Sequence, residues 1–264
     1  MNAETVTHLV AICISFGVGL PLVARAVRGR DWPAVLLGAA LVFDGLEWLS
    51  WGIAVSAPVR DTPAADALAI VCRLSISAAT VCIVAFTVVV FRRDSRAARA
   101  FGLALCAALL VGFLGSGAVG DWGGWRPDHP WVWLELGAQM LAYAWATAEP
   151  LAYYAKLHRR AALGLTSPLV AHRFLLWGAY AGMFFLTQIG YMLQFVLSET
   201  PAGLGLVLTW ITISGEVALW LAFFPPRRYA RWIESRASGT GEPDAAHAAV
   251  APEIRPEFER GSGS

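Results

Sequence analysis

The fold of this chain is decided by the segment Ala64–Phe91, which reads AADALAIVCRLSISAATVCIVAFTVVVF. The segment is longer than the roughly 20 residues that a helix needs to cross about 30 Å of hydrocarbon. Arg73 is the only basic residue in it. A charged side chain at membrane depth costs roughly 2.5–3.5 kcal/mol on insertion scales, so such residues usually face a bundle interior or a cavity. The segment therefore predicts a transmembrane helix that carries part of a polar site.

The rest of the chain has the same apolar character. Hydrophobic residues make up 57% of the 264 residues, charged residues only 15%, and the mean hydropathy is +0.57. A soluble domain of this size needs a smaller hydrophobic fraction to form its core, so we predict an integral membrane protein in a lipid bilayer. Seven segments have the length of a transmembrane helix: Thr5–Ala26, Pro33–Ala57, Ala64–Phe91, Ala100–Val119, Trp131–Ala155, His172–Leu197 and Gly203–Phe224. The predicted fold class is all-α, a bundle of seven transmembrane helices.

The basic residues predict the orientation of this bundle. The connections on one side contain only Arg60 and Arg126. Fourteen basic residues lie at the alternate connections: Arg25, Arg28, Arg30, Arg92, Arg93, Arg96, Arg99, Lys156, Arg159, Arg160, Arg173, Arg227, Arg228 and Arg231. The positive-inside rule then places the N-terminus outside and the C-terminus in the cytoplasm. Because topology explains these charges, they predict no nucleic-acid partner.

The chain is expected to divide into residues 1–234, which form the bundle, and residues 235–264, which form a disordered cytoplasmic tail. The tail is rich in Ala, Gly, Pro, Glu and Ser, a composition that cannot bury a core. Arg227–Glu234 is expected to form a short interfacial helix. Small residues recur every fourth position at Ala104, Ala108, Gly112 and Ser116, which predicts close helix packing. Both a monomer and a homodimer are compatible with this sequence pattern.

Polar side chains from five predicted helices are expected to lie at similar depth. At ~1.5 Å per helical residue they lie about 12–20 Å from the outer boundary. The set is Asp44, Glu47, Arg73, Gln139, Gln188 and Glu216; Glu135 is shallower by the same count. Arg73 is expected to pair with Glu47 or Glu216. One guanidinium cannot neutralise three carboxylates, so we expect a protonated acid, or water or a bound cation in the layer.

Acids and indoles alternate on one face of the second predicted helix. Asp44 and Glu47 are three residues apart, and Trp48 and Trp51 each follow one of them by four residues. This stripe, together with the other members of the polar layer, is the predicted ligand-binding site. The competing interpretation is a structural ion pair of Arg73 that locks three helices and has no further role.

Glu149 is a separate feature because it precedes Pro150, which removes a backbone hydrogen bond and predicts a kink. By residue count it lies near the cytoplasmic surface. One interpretation is an acid paired with Lys156, His172 or Arg173. The other is an inner gate that acts opposite the outer polar layer.

Several chemistries of membrane proteins are excluded by the residues that they require. Retinal proteins need an intramembrane lysine, and the only lysine is Lys156, at the cytoplasmic end of the fifth segment. The five histidines lie at the termini, in loops or at helix ends: His8, His129, His158, His172 and His247. They support neither a zinc site nor haem ligation. We therefore predict no metal site and no cofactor.

The sequence around Glu47, which reads Leu41-Val-Phe-Asp-Gly-Leu-Glu47-Trp, carries a first resemblance. With the helix count and orientation, this Leu-Glu pair resembles the seven-transmembrane sensory regions of bacterial signalling proteins such as histidine kinases. The resemblance implies a receptor in the cytoplasmic membrane of a bacterium. We expect no effector domain in residues 235–264, in contrast to that family, so signalling would need a cytoplasmic protein partner.

The placement of Glu47-Trp48 and Glu216 carries a second resemblance, to small seven-helix membrane terpene cyclases. It implies an intramembrane enzyme in which Glu47, Asp44 and Glu216 are the catalytic candidates. A neutral buried acid would protonate a polyene, and aromatic faces would stabilise cations.

Three functions follow from these observations. The leading hypothesis is a receptor-like protein, rather than an enzyme, that binds a small amphipathic or cationic ligand in an outward-facing polar pocket. The second is the cyclase-type enzyme. The third is a proton or cation pathway, since carboxylates at mid-membrane also serve as relays.

Overall fold

A computed structural model describes residues 3–56, 58–123, 126–197 and 203–238, and all regular structure within these ranges is helical. The eight helices of this part of the chain are α1 Ala3–Gly29, α2 Trp32–Ala54, α3 Pro63–Phe91, α4 Arg96–Ala118, α5 Pro130–Ala162, α6 Pro168–Val196, α7 Leu204–Phe223 and α8 Arg227–Ser238. Each predicted long segment corresponds to one helix. The predicted short helix extends to Ser238, and the rest of the predicted tail lies outside the described residues.

Six of the described helices are long and apolar enough to cross a membrane, by length and composition: α1, α2, α3, α4, α6 and α7. Helix α5 is not among these six, and its sequence contains the polar or helix-breaking residues Glu135, Gln139, Glu149 and Pro150. The chain is therefore a helical integral membrane protein. All-helical architecture and bilayer contact agree with the sequence prediction.

The starts of several helices follow from local sequence. Proline occupies the first turn of α2, α3, α5 and α6, where its fixed φ suits the helix and its missing N–H costs nothing. In α2 the Asp31 side chain also accepts a hydrogen bond from Ala34 N at 3.3 Å. In α4 the Ser95 side chain accepts one from Ala98 N at 3.2 Å. These caps satisfy backbone donors that have no partner within the helix.

The long helices form a ring. Contacts join α1 to α2, α2 to α3, α3 to α5, α5 to α6 and α6 to α7, and α7 returns to α1. Helix α4 packs outside this ring, mainly on α5, and α8 packs on α6. We call the end of the bundle at which α1, α3, α5 and α7 begin the N-end, and the opposite end the α8 end. The interior of the ring is therefore bounded by six helices.

Two close helix contacts depend on glycine. A Cβ on Gly38 of α2 would lie 2.8 Å from Val23 Cγ2 and 3.1 Å from Gly19 O of α1. A Cβ on Gly112 of α4 would lie 3.0 Å from the carbonyl oxygen of Trp131 in α5. Small residues thus let these backbones approach, as the spacing in α4 predicts, although Ala104 of the same stripe is exposed.

The α8 end of the ring is filled by an apolar cluster. Buried side chains from six helices meet there, among them Leu41, Phe86, Tyr143, Tyr180 and Leu219. The rings of Tyr143 and Phe184 stack with centroids 5.3 Å apart. This packing fills the α8 half with side chains, whereas Glu47, Gln139 and Gln188 lie toward the N-end.

Candidate functional site

Six helices enclose a cavity of about 370 Å³ at the N-end of the bundle. Its wall contains five residues that the sequence predicted for the site: Glu47, Trp48, Trp51, Gln139 and Gln188. Nine further residues complete the wall: His8, Cys72, Ile76, Leu136, Tyr191, Gln194, Phe195, Gly205 and Thr209. The cavity thus combines one carboxyl group with amides, aromatic rings and a histidine.

Glu47 is brought to the wall by the helical period of α2, which also presents Trp48 and Trp51 there. Trp48 is 7% exposed, and its ring packs against that of His8 with centroids 5.2 Å apart. The face of an aromatic ring is the negative part of its quadrupole and attracts cations. A carboxyl group beside indole faces therefore suits a cationic group.

Two buried amides from α5 and α6 face the same cavity. Gln139 is 0% exposed and Gln188 is 2% exposed. Within the described residues, neither Oε1 nor Nε2 of Gln139 has a hydrogen-bond partner, and Oε1 of Gln188 and Nε1 of Trp48 have none either. A buried polar group without a partner costs about 1–3 kcal/mol. These groups are positioned to bond polar atoms in the cavity.

Asp44 and Glu216 lie deeper in the ring than the cavity wall. They are 2% and 1% exposed, and Ser15 of α1, at 0%, lies between them. Ser15 Oγ is 3.1 Å from Asp44 Oδ2 and 2.6 Å from Glu216 Oε1. The structure therefore brings these two predicted site residues together, but as a separate group linked to the cavity through Glu47, one turn along α2.

The predicted pairing of Arg73 with Glu47 or Glu216 is wrong, because its guanidinium bonds to Glu135 of α5. Nε and Nη2 of Arg73 donate to Glu135 Oε2 at 2.9 and 2.6 Å. Nη2 also donates to Ser116 Oγ at 2.7 Å, and Nη1 donates to the Asp121 carbonyl at 3.1 Å. Both charged side chains are 0% exposed. The pair joins α3, α4 and α5 and is not part of the cavity wall.

The direction of side chains on α3 explains this correction. Helix side chains lean toward the N-terminus of their own helix, and α3 begins at the N-end. The guanidinium therefore lies nearer the N-end than a count of residues indicates, and it reaches the backbone that follows α4. Ser77, one turn after Arg73, donates to Glu135 Oε1 at 2.9 Å. The neighbouring face of α3, with Cys72 and Ile76, lines the cavity.

The expected partners of Glu149 are also corrected. Its carboxylate accepts hydrogen bonds from Arg92 Nε at 2.8 Å and from Trp145 Nε1 at 3.0 Å, whereas His172 bonds to Tyr229 of α8. The Arg92 side chain is 54% exposed. Glu149 therefore belongs to an ion pair near the surface at the α8 end.

Within the described part of the chain, no group of three or more His, Cys, Asp or Glu residues is placed to hold a metal ion. The cavity instead offers oxygen and nitrogen atoms suited to hydrogen bonds and one ionisable carboxyl group. No protein-family model, no curated protein and no solved structure matches this chain.

Proposed function

We propose that this protein is receptor-like and binds a small amphipathic or cationic ligand in the cavity at the N-end. The observation that carries the proposal is the Gln139 amide, which is 0% exposed, has no partner among the described residues and faces a cavity that also contains Glu47. A ligand amine would pair with the Glu47 carboxylate. Its polar atoms would bond the amides, and its apolar part would lie against Trp48 and Phe195.

We propose further that α5 also crosses the membrane, which gives seven spans with the N-terminus outside. Helix α5 has 33 residues and packs on α3, α4 and α6. At ~1.5 Å per residue it is long enough to span about 30 Å of hydrocarbon. The basic residues at the α8 end support a cytoplasmic position for that end, and the resemblance around Glu47 supports the cytoplasmic membrane of a bacterium.

Helix α6 offers a route from the cavity to the cytoplasmic side. It contributes Gln188 and Tyr191 to the wall, and near its other end His172 Nε2 and Tyr229 Oη of α8 are 2.5 Å apart. Movement of α6 on ligand binding would therefore shift α8, which carries exposed basic residues. This supports a cytoplasmic protein partner that contacts α8 and responds to its position.

The charge requirement gives the first test. Benzylamine and its uncharged analogue benzyl alcohol are the probes, and binding is measured by thermal shift and calorimetry on purified protein. We expect Glu47→Gln to weaken benzylamine binding about tenfold or more, since charge-assisted hydrogen bonds contribute roughly 1.5–3 kcal/mol. Benzyl alcohol should bind the two proteins alike. Glu149→Gln, the same change at the α8 end, is the matched control; equal loss in both variants, or no benzylamine binding at all, contradicts the proposal.

A cyclase-type enzyme is the alternative, and Glu47 beside Trp48 and Trp51 is the observation that favours it. Asp44 and Glu216 are not in the cavity wall, so Glu47 is the acid that would reach a substrate. Incubation of the purified protein with a polyprenyl epoxide tests this function: a cyclised product that Glu47→Gln abolishes would replace the receptor proposal. A proton or cation pathway has least support, because the apolar cluster fills the α8 half of the ring.

A further inference from the structure

Asp44, Ser15 and Glu216 form a group that the proposed binding site does not use. They come from α2, α1 and α7, and each is at least 98% buried. Burial of two carboxyl groups side by side in an apolar bundle is expensive unless charge is removed or compensated. The question is therefore what neutralises them.

The single hydrogen of the Ser15 hydroxyl group limits how many hydrogen bonds it can donate to the two acids. It has one hydrogen and two lone pairs, yet its oxygen is within hydrogen-bonding distance of Glu216 Oε1 at 2.6 Å and of Asp44 Oδ2 at 3.1 Å. The hydroxyl hydrogen can serve only one of these contacts well. The other is a hydrogen bond only if that carboxyl group carries a proton and donates it to Ser15 Oγ.

The second oxygen of Glu216, Oε2, independently indicates a proton on one of the two acids. Glu216 Oε2 is buried and has no donor among the described residues. Asp44 and Glu216 both contact Ser15 Oγ, and neither can donate a hydrogen bond while it is ionised. A proton on one of them supplies the missing donor, as in other closely spaced pairs of acids that share a single proton.

The surroundings provide no fixed positive charge to replace this proton. In the described residues, the ion pairs are Arg73 with Glu135, Arg92 with Glu149 and Arg126 with Asp128. The titratable groups that line the cavity or lie near the two acids are His8 of α1, Glu47 of α2, Cys72 of α3, Tyr143 of α5, and Tyr180 and Tyr191 of α6. Of these groups, only His8 can become positive, and it lies seven residues from Ser15, ~10 Å along α1. Glu47 is the nearest acid on α2, and when it is ionised its negative charge favours retention of the proton.

We infer that Asp44, Ser15 and Glu216 form a proton-binding site in the membrane interior, which holds one proton between the two carboxyl groups. The site lies one helical turn from Glu47, so a cation bound in the cavity and the proton compete electrostatically. This last step rests on the proposed function. Binding of a cationic ligand then releases the proton, and the affinity rises with pH by up to about tenfold per pH unit for one proton released.

The proton itself is tested without any ligand. Infrared difference spectra at neutral pH compare the protein with the double variant Asp44→Asn/Glu216→Gln. We expect the parent protein to show the C=O stretching band of a neutral carboxylic acid, and the variant to lose intensity equal to one acid group. Loss of no intensity would mean that both acids are ionised and would overturn the inference. So would a rise in melting temperature specific to Na⁺ over K⁺, because a metal ion would then occupy the place of the proton.

The coupling to ligand is tested with benzylamine as the probe. Its dissociation constant is measured at several pH values on either side of neutrality, with benzyl alcohol as the uncharged control. The affinity of the parent protein for benzylamine should rise with pH, and Asp44→Asn and Glu216→Gln should each flatten the dependence. A dependence that persists in both variants would assign the proton to Glu47 and overturn the coupling. If benzylamine does not bind, the proposed function fails while the infrared test still decides the proton site.

Discussion

Replacement of Arg73 by glutamine is expected to lower the free energy of unfolding by about 3–5 kcal/mol, the cost of removing one partner from a buried ion pair. The change leaves the Glu135 carboxylate at 0% exposure without its cation. It also removes donors from Ser116 Oγ and the Asp121 carbonyl, so α4 and the backbone after it each lose a hydrogen bond to α3. Reversible denaturation in mixed micelles and the melting temperature measure the effect.

The same substitution at Arg92 is the matched control. Arg92 pairs with Glu149 at 2.8 Å, but its side chain is 54% exposed, and exposed ion pairs contribute little because water screens them. We expect Arg92→Gln to leave the melting temperature nearly unchanged. Removal of both charges in Arg73→Leu/Glu135→Leu should recover part of the stability that Arg73→Gln loses, since no buried charge is then left unpaired. Equal effects of the two arginine substitutions would contradict the buried pair.

Replacement of Gln139 by leucine is expected to stabilise the protein and to weaken ligand binding at the same time. The amide is fully buried and has no partner among the described residues, so a side chain of similar size without polar atoms avoids a cost of about 1–3 kcal/mol. Gln188→Leu should also stabilise the protein, because it removes the buried Oε1 atom that has no hydrogen-bond partner among the described residues. Benzylamine binding should weaken in both variants, because the cavity loses groups that bond the ligand.

Gln194 provides the control for this prediction. It also lines the cavity, but it is only partly buried and water can reach it. Gln194→Leu should therefore change the melting temperature little. A loss of stability in Gln139→Leu would mean that the native amide has hydrogen-bond partners, and the case for a ligand beside it would then fail.

The sequence predicted the helices well because apolar length decides them. It predicted five of the fourteen residues of the cavity wall, and three of these, Glu47 and the indoles of α2, recur at helical spacing. The partner of Arg73 could not be predicted by counting depth, because the count follows backbone positions, and the long side chain of Arg73 lies closer to the N-end. Helix rotation was equally unknown, so nothing in the sequence assigned Arg73 to the face of α3 that meets α5.

Some missed residues did carry a signal. On α6, Tyr191 and Phe195 follow Gln188 at helical spacing, and all three line the cavity. Ser15 lies in the apolar middle of α1, where a hydroxyl group also needs a partner. Thr209 and His8 carried no comparable signal, because both lie near helix ends where polar residues are common.

The central claim is that the cavity beside Glu47 favours cations, and Cys72 in its wall allows a direct measurement. Alanine replaces Cys13, Cys82 and Cys106, so that Cys72 is the cysteine that remains. Cys72 is then labelled with the cationic reagent 2-aminoethyl methanethiosulfonate or the anionic reagent 2-sulfonatoethyl methanethiosulfonate. Each labelling rate is divided by the rate of the same reagent with a free thiol in solution. We expect the cationic reagent to react about tenfold faster or more, as a carboxylate within several ångströms predicts, and the ratio to fall close to one in Glu47→Gln. The same ratio in both proteins, or no labelling of Cys72 by either reagent, would contradict a cation-binding cavity.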